Sequence, residues 1–181
     1  MNDINSESKK DAPTPMPERP YWCVCDDGSD KPFAERVADR IAYVVKVIEQ
    51  EPENADAYLG LGRLYSMMPE LDTEKSDKAF ANFSKAIELD PKNAMAYEGL
   101  GSVHLFNNNY GEAIDNFDKA IALDPEFALA CSGRGMAHSD NGNYAQAIRD
   151  ISRAIKLEPE NAHIYVHRGD THSRHGEYGK A

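Results

Sequence analysis

Small and rigid residues return along this chain at a fixed interval. Gly62, Gly101, Gly135 and Gly169 follow one another at spacings of 39, 34 and 34 residues, and Pro52, Pro91, Pro125 and Pro159 repeat those spacings. Ala79, Ala113, Ala147 and Ala181 are each 34 apart. A period in this range marks a stack of supersecondary units, none of which can bury its apolar face alone. The interval from glycine to alanine is 17 in the first unit and 12 in the others, so the first unit carries five extra residues between Gly62 and Ala79. The stretch from Met68 to Asp77, which holds Pro69, predicts an enlarged turn there.

Within one period the pattern is that of a helical hairpin. In the second unit Asn93 can cap a helix whose apolar residues, Met95, Tyr97, Leu100, Val103, Leu105 and Phe106, fall at helical spacings. Asn107, Asn108 and Asn109 interrupt it, because their side chains compete for backbone hydrogen bonds. Asn109 with Glu112 then reads as a capping box that opens a second helix. Its buried stripe is Ala113, Ile114, Phe117, Ala120 and Ile121, and Pro125 stops it. The third unit repeats the scheme with Asn143, Gln146 and Pro159. Gly101 and Ala113 are small where the two helices must approach.

Two partial units flank this array. Phe33 to Glu51 predicts one more helix, capped by Asp30, with Phe33, Val37, Ile41, Val44, Val45 and Ile48 on one stripe. It ends in phase at Pro52, like the second helix of an incomplete unit, and is expected to cover the first full repeat. At the other end Ala162 to His175 predicts a polar helix, after which Glu177, Tyr178 and Ala181 fall in step with the start of another. Either the chain is a fragment of a longer array or the polar helix is itself the terminal cap. The in-step residues favour the fragment.

The units resemble the tetratricopeptide repeat, a 34-residue helix–turn–helix. Tyr58, Leu61, Gly62, Tyr65, Ala79, Phe83, Ala86 and Pro91 carry the likeness in the first unit, and Tyr97, Leu100, Gly101, His104, Ala113, Phe117, Ala120 and Pro125 in the second. The third departs more, with Cys131, Arg134, Gly135, His138, Ala147, Ile151, Ala154 and Pro159, and the fourth opens with Tyr165, Arg168, Gly169 and His172. The resemblance covers residues 55–181 and implies an all-α fold, a right-handed superhelical solenoid of antiparallel helix hairpins. The expected layout is a disordered leader over 1–20, an extended segment over 21–32 whose Tyr21 and Trp22 pack on the first helix, and a repeat domain over 33–181. That domain has helix 33–51 as its N-terminal cap, repeats starting at 55, 94 and 128, and a truncated repeat from 162.

The same resemblance implies a scaffold that binds a protein or peptide, not an enzyme, and it implies no cofactor. The first helix of each unit lines a concave groove, here Leu59, Arg63 and Met67, then Met95, Glu98, Ser102, Leu105 and Phe106, then Leu129, Ser132 and Met136, then His163, Val166, His167 and Asp170. Gly60, Gly99 and Gly133 would leave room for a ligand backbone. Some family members clamp a terminal carboxylate with Lys, Asn and Arg. The matching positions here are Leu59, Arg63, Gly99, Leu129 and Gly133, or Glu98, Ser102, Gly133, His163 and His167, and neither set supplies those cations. The expected ligand is therefore an apolar peptide or helix. The alternative is a targeting arm of a longer enzyme whose catalytic part lies beyond residue 181. The uncovered last helix could also pair with a second copy.

Charge and composition narrow the partners. A formal net charge of −11 repels phosphate backbones and argues against nucleic acid. No run approaches the roughly 18 apolar residues of a membrane span, and the first twenty residues hold no apolar stretch of the signal-peptide kind, so the cytoplasm is the default compartment. Cys23, Cys25 and Cys131 are too few for a disulfide framework. Cys23 and Cys25 also lack the further ligands that a zinc site needs. His104, His138 and His172 recur at the family's tyrosine position, and His163 with His167 lacks a third convergent ligand, so no metal is expected. A metal-responsive adaptor is the third class in play.

Overall fold

The computed structural model describes residues 20–24, 30–68 and 72–176. The leader, Cys25, Pro69 and the helix expected to open at Glu177 lie outside them. The described residues form helices and no strand: α1 (Phe33–Gln50), α2 (Ala55–Ser66), α3 (Thr73–Leu89), α4 (Ala94–Phe106), α5 (Tyr110–Leu123), α6 (Ala128–Asp140), α7 (Tyr144–Leu157) and α8 (Ala162–Arg174).

Helix starts follow the asparagines, with local corrections. The side chains of Asn54, Asn93 and Asn161 accept from backbone N–H groups of the first turn of α2, α4 and α8, at 3.0, 3.1 and 3.2 Å. Asn109 and Asn143 occupy the cap positions of α5 and α7 but make no side-chain cap bond, so the expected capping boxes do not form. Pro32, not Asp30, caps α1. The turn inside each hairpin needs a left-handed residue, and Asn108 (φ 60°), Gly142 (φ 79°) and Gly176 (φ 76°) supply it at 34-residue intervals. The enlarged turn of the first unit is smaller than expected. Asp72 caps α3, which begins six residues before Ala79, whereas α5 begins three before Ala113, so part of the insertion lengthens the helix.

Stacking rests on aromatic rings seated between glycines. A Cβ on Gly62 would lie 2.8 Å from the Phe83 ring, and one on Gly99, in the next unit, 2.5 Å from the same ring. Phe117 is held alike, at 2.9 Å from such an atom on Gly101 and 2.6 Å on Gly133. Each ring therefore joins its own hairpin to the following one, and both rings are fully buried. In the third unit Ile151 takes the ring's place against Gly135. The expectation that Gly99 and Gly133 leave room for a ligand backbone is thus corrected: phenylalanine fills that room.

Beneath α6 a charged pair replaces an apolar contact. Leu61, Leu100, Arg134 and Arg168 are equivalent by register, as are Asn82, Asn116 and Asp150. The two asparagines each donate to the carbonyl four residues back, at 2.8 Å. Arg134 instead meets Asp150 through two bonds of 2.8 and 2.6 Å, and reaches Asp118 at 2.5 Å. Asp150 is buried, so the leucine-to-arginine and asparagine-to-aspartate changes compensate each other.

On α1 the buried residues are Val37, Arg40, Val44 and Val47. Phe33 and Val45, assigned to the buried stripe by periodicity, are exposed.

Two outcomes follow for urea unfolding. Phe117→Ala should cost about 4 kcal/mol, because glycines on both sides of the vacated ring have no side chains to move in. Arg134→Leu alone should cost about 3 kcal/mol by stranding a buried carboxylate. Adding Asp150→Asn gives the third unit the Leu and Asn that the second unit carries at Leu100 and Asn116 and should recover most of that loss. A double variant as unstable as the single one would reject the compensation.

Candidate functional site

Which side of the stack is concave can be read from which helices touch. Among the described residues α2, α4, α6 and α8 contact one another in sequence, while α3, α5 and α7 contact only the helices of the other row. A curved stack is tight inside and splayed outside, so the first helices of the units form the inner wall. This is the wall expected to carry the groove.

The wall differs along its length. At the first unit it is covered. Tyr21 lies over Gly60, where an added Cβ would meet the Tyr21 Cβ at 2.3 Å. Trp22 packs against the cluster that contains Leu59, and the Arg63 guanidinium stands 5.0 Å from the indole centroid. Leu59 is wholly buried, so its assignment to an open groove is corrected. Arg63 donates to Glu98 at 3.3 Å, and its Nε has no hydrogen-bond partner. The described start of the segment expected to be extended is instead a turn. Cys23 N–H donates to the Pro20 carbonyl at 2.9 Å, which makes Pro20–Cys23 a tight turn.

From the second unit onward the wall is open and mixed. Met95, Phe106, Leu129 and Val166 are exposed there, Phe106 and Val166 by 49% and 58%, and Met67 at the end of α2 is exposed as well. Leu105 is half-buried against the central core, and Met136 is partly covered. Two expected groove residues are instead the joints between neighbouring helices. Glu98 is buried, bound by Arg63 and by the Ser102 hydroxyl at 3.0 Å. Burial raises its carboxyl above the ordinary value, against the pull of Arg63 and Ser102. Ser132 is buried and shares a 2.9 Å hydrogen bond with His167 Nδ1. The assignments of Glu98 and Ser132 to the ligand surface are corrected on that ground.

Between α6 and α8 lies a polar cleft lined by Met136, Ser139, Asp140, His167, Asp170, Thr171 and Arg174. Arg174 pairs with Asp140. Burial lowers the His167 pKa, with Asp170 opposing and His163 adding to the shift. His163, Ser102 and Asp170 are exposed. Among the described residues no three His, Cys, Asp or Glu side chains gather as metal ligands, and no helix is long and apolar enough to cross a membrane.

Sequence reasoning placed Tyr21 and Trp22 on the first helix, where they do pack, but missed that they also cover the inner wall of the first unit, which two residues of α1 signalled. Val44 stands eight residues before its proline, where Phe83 and Phe117 stand before theirs. Arg40 stands twelve before, where the other units have alanine. The first substitution leaves Gly60 without a ring, and the second is too large and polar for a helix–helix contact.

Known proteins share this architecture. Two family models described as tetratricopeptide repeat match residues 70–126 and 128–161, together half of the chain. No curated protein matches the sequence. A crystal structure of MamA is 26% identical, with 79% of this chain and 81% of that one covered and a TM-score of 0.65. The crystal structure of YrrB, described as a TPR protein with an unusual peptide-binding site, is 21% identical, with 81% and 73% covered and a TM-score of 0.60. The first TPR of Spaghetti (RPAP3), bound to the HSP90 peptide SRMEEVD, is 22% identical, with 68% and 94% covered and a TM-score of 0.61. With ring and glycine stacking unit upon unit, and with these models matching in the same register, the chain belongs to the tetratricopeptide repeat family.

Proposed function

We propose that the inner wall from α4 to α8 binds a segment of another protein through apolar anchors. The observation that carries this reading is the recurrence of exposed apolar side chains along one wall: Met95 and Phe106 on α4 and Leu129 on α6. Single exposed apolar residues are ordinary, but a row of them along a concave surface marks an interaction site. An amphipathic helix or an apolar strand could lay its anchors across such a row, and methionine adapts to varied partners. Repeats of this family serve as interaction scaffolds, and peptide binding by YrrB and by the Spaghetti repeat supports the same use here.

The ligand would differ from an acidic tail. The peptide SRMEEVD on the Spaghetti repeat carries three acidic residues. On the present wall Arg63 is engaged by Glu98 and Trp22, Arg174 is engaged by Asp140, and Asp170 is exposed. That leaves little cationic surface for carboxylates and favours a ligand held by apolar contact.

A displayed library of random peptides tests this. Peptides selected on the wild-type chain should share apolar residues at helical or alternating spacing. They should lose about tenfold or more in affinity for Phe106→Asp/Leu129→Asp, since each central anchor is worth roughly 1–3 kcal/mol. Both side chains are exposed, so circular dichroism should stay unchanged. Selected peptides that ignore the double variant, or that require a free C-terminal carboxylate, would reject the assignment.

The α6–α8 joint adds a pH dependence. His167 has a folded-state pKa below its ordinary value of 6.5 because burial disfavours the charged ring. The unfolded chain therefore takes up its proton first, and stability falls as pH drops below about 6.5. His138 is shifted in the same direction, also chiefly by burial. Unfolding midpoints should decline from pH 7.5 to 5.5, and His167→Gln should flatten the decline. An equal slope in the variant would exclude His167 as a source.

A further inference from the structure

We infer that the notch between α1 and α2 is a binding site for a turn-forming peptide with two adjacent aromatic side chains, and that Tyr21 and Trp22 fill it in cis. This goes beyond the groove reading, since it concerns the other end of the array and different side chains.

The notch exists because α1 departs from the pattern of α3 and α5 at two places. With Val44 in place of a phenylalanine, no ring reaches Gly60 from α1, yet the glycine is retained. Tyr21 enters this vacancy, its Cβ 2.3 Å and its Cα and carbonyl carbon 3.4 Å from where a Gly60 Cβ would stand. With Arg40 in place of alanine, a guanidinium sits at the bottom of the notch. It is buried, donating from Nε to the Tyr21 carbonyl at 2.7 Å and from Nη2 to the Pro20 carbonyl at 2.9 Å.

These contacts recognise a peptide, not one particular sequence. Arg40 reads two backbone carbonyls. Gly60 admits the backbone between them. Asn54 Nδ2 donates to the Tyr21 hydroxyl at 3.3 Å, and the indole of Trp22 packs between the Leu59 cluster and the α1 cluster while Arg63 covers its face. The donors of the site, Arg36, Arg40 and Asn54, belong to α1 or to its connection to α2, and the occupant offers backbone carbonyls, two aromatic side chains and Val24. Such an occupant is exchangeable in kind: any turn that offers the same two carbonyls and adjacent rings meets the same surface.

In cis the occupant is tethered a few residues from α1, which raises its local concentration to the order of millimolar. A free peptide therefore gains the site only when the tethered rings are disarmed. The test uses the full chain with Tyr21→Gly/Trp22→Gly, and a dye-labelled peptide of residues Pro20–Val24 carrying Cys23→Ser. Anisotropy should show saturable binding to the double variant, and about tenfold or more weaker binding to the wild type, a gap of about 1.4 kcal/mol. No saturable binding to a double variant of wild-type helicity, or equal binding to both chains, overturns the inference.

Should the double variant fail to fold, Gly60→Ala decides. Its methyl group takes the space of the Tyr21 Cβ while suiting a helix better than glycine does. Trp22 is the chain's single tryptophan, so its emission reports the segment alone. The expected result is a red shift to that of a water-exposed indole with helicity kept. Unchanged emission, or helicity lost together with the segment, overturns the inference.

Discussion

A phenylalanine ring with a glycine on each side is the contact on which the rest of the molecule depends. Phe83 and Phe117 each touch two successive inner-wall helices, and each does so at positions where any side chain would collide with the ring. A single hairpin offers one glycine and buries half of the ring. The second glycine belongs to the next unit, so burial is completed only by stacking. This makes the array cooperative from neighbour to neighbour. It also fixes the register, since a shift of one residue would put Leu100 or Ser102 where Gly101 must be.

Where the ring is lost, the surroundings change with it. At the junction of the third and fourth units Ile151 stands in the ring's register, and the second glycine is replaced by His167. The freed volume goes to a polar joint between His167 and Ser132. At the start of the array Val44 replaces the ring but Gly60 stays, and the freed volume is taken by Tyr21. The two ends thus solve one packing deficit differently. One fills it with a larger residue on the wall, the other with a piece of chain from outside the repeats. The second solution depends on Arg40, because a backbone brought into a buried seat must have its carbonyls satisfied.

The period made the helix order and the stacking legible, because glycine, alanine and proline recur for steric reasons that one sequence displays by itself. The wall was harder to read. Leu59, Glu98 and Ser132 share a repeat position that faces the neighbouring inner helix, so a pattern of exposure borrowed from register alone placed them in the open. What their side chains do is set by residues 35 to 37 positions away, Trp22, Arg63 and His167, and no local period announces those pairings. The Arg134 and Asp150 pair was legible in principle, since it appears as two departures from register within one unit, but only contact between α6 and α7 shows that they answer each other.

The division of labour within the inner helices explains how one scaffold can serve many ligands. Positions that meet the following or preceding helix are fixed by packing: glycine for a ring, or a polar residue that finds its partner across the joint. Positions such as those of Met95, Leu129 and Phe106 touch neither the ring nor the joint and remain exposed. A substitution there costs the stack little, because surface changes away from packed or paired groups have small effects on stability. Selection for a partner can therefore act on these residues without reopening the fold. The first unit is the exception. Its wall residues Leu59 and Arg63 are held under Trp22, so their identity answers to the chain's own segment before it can answer to a ligand.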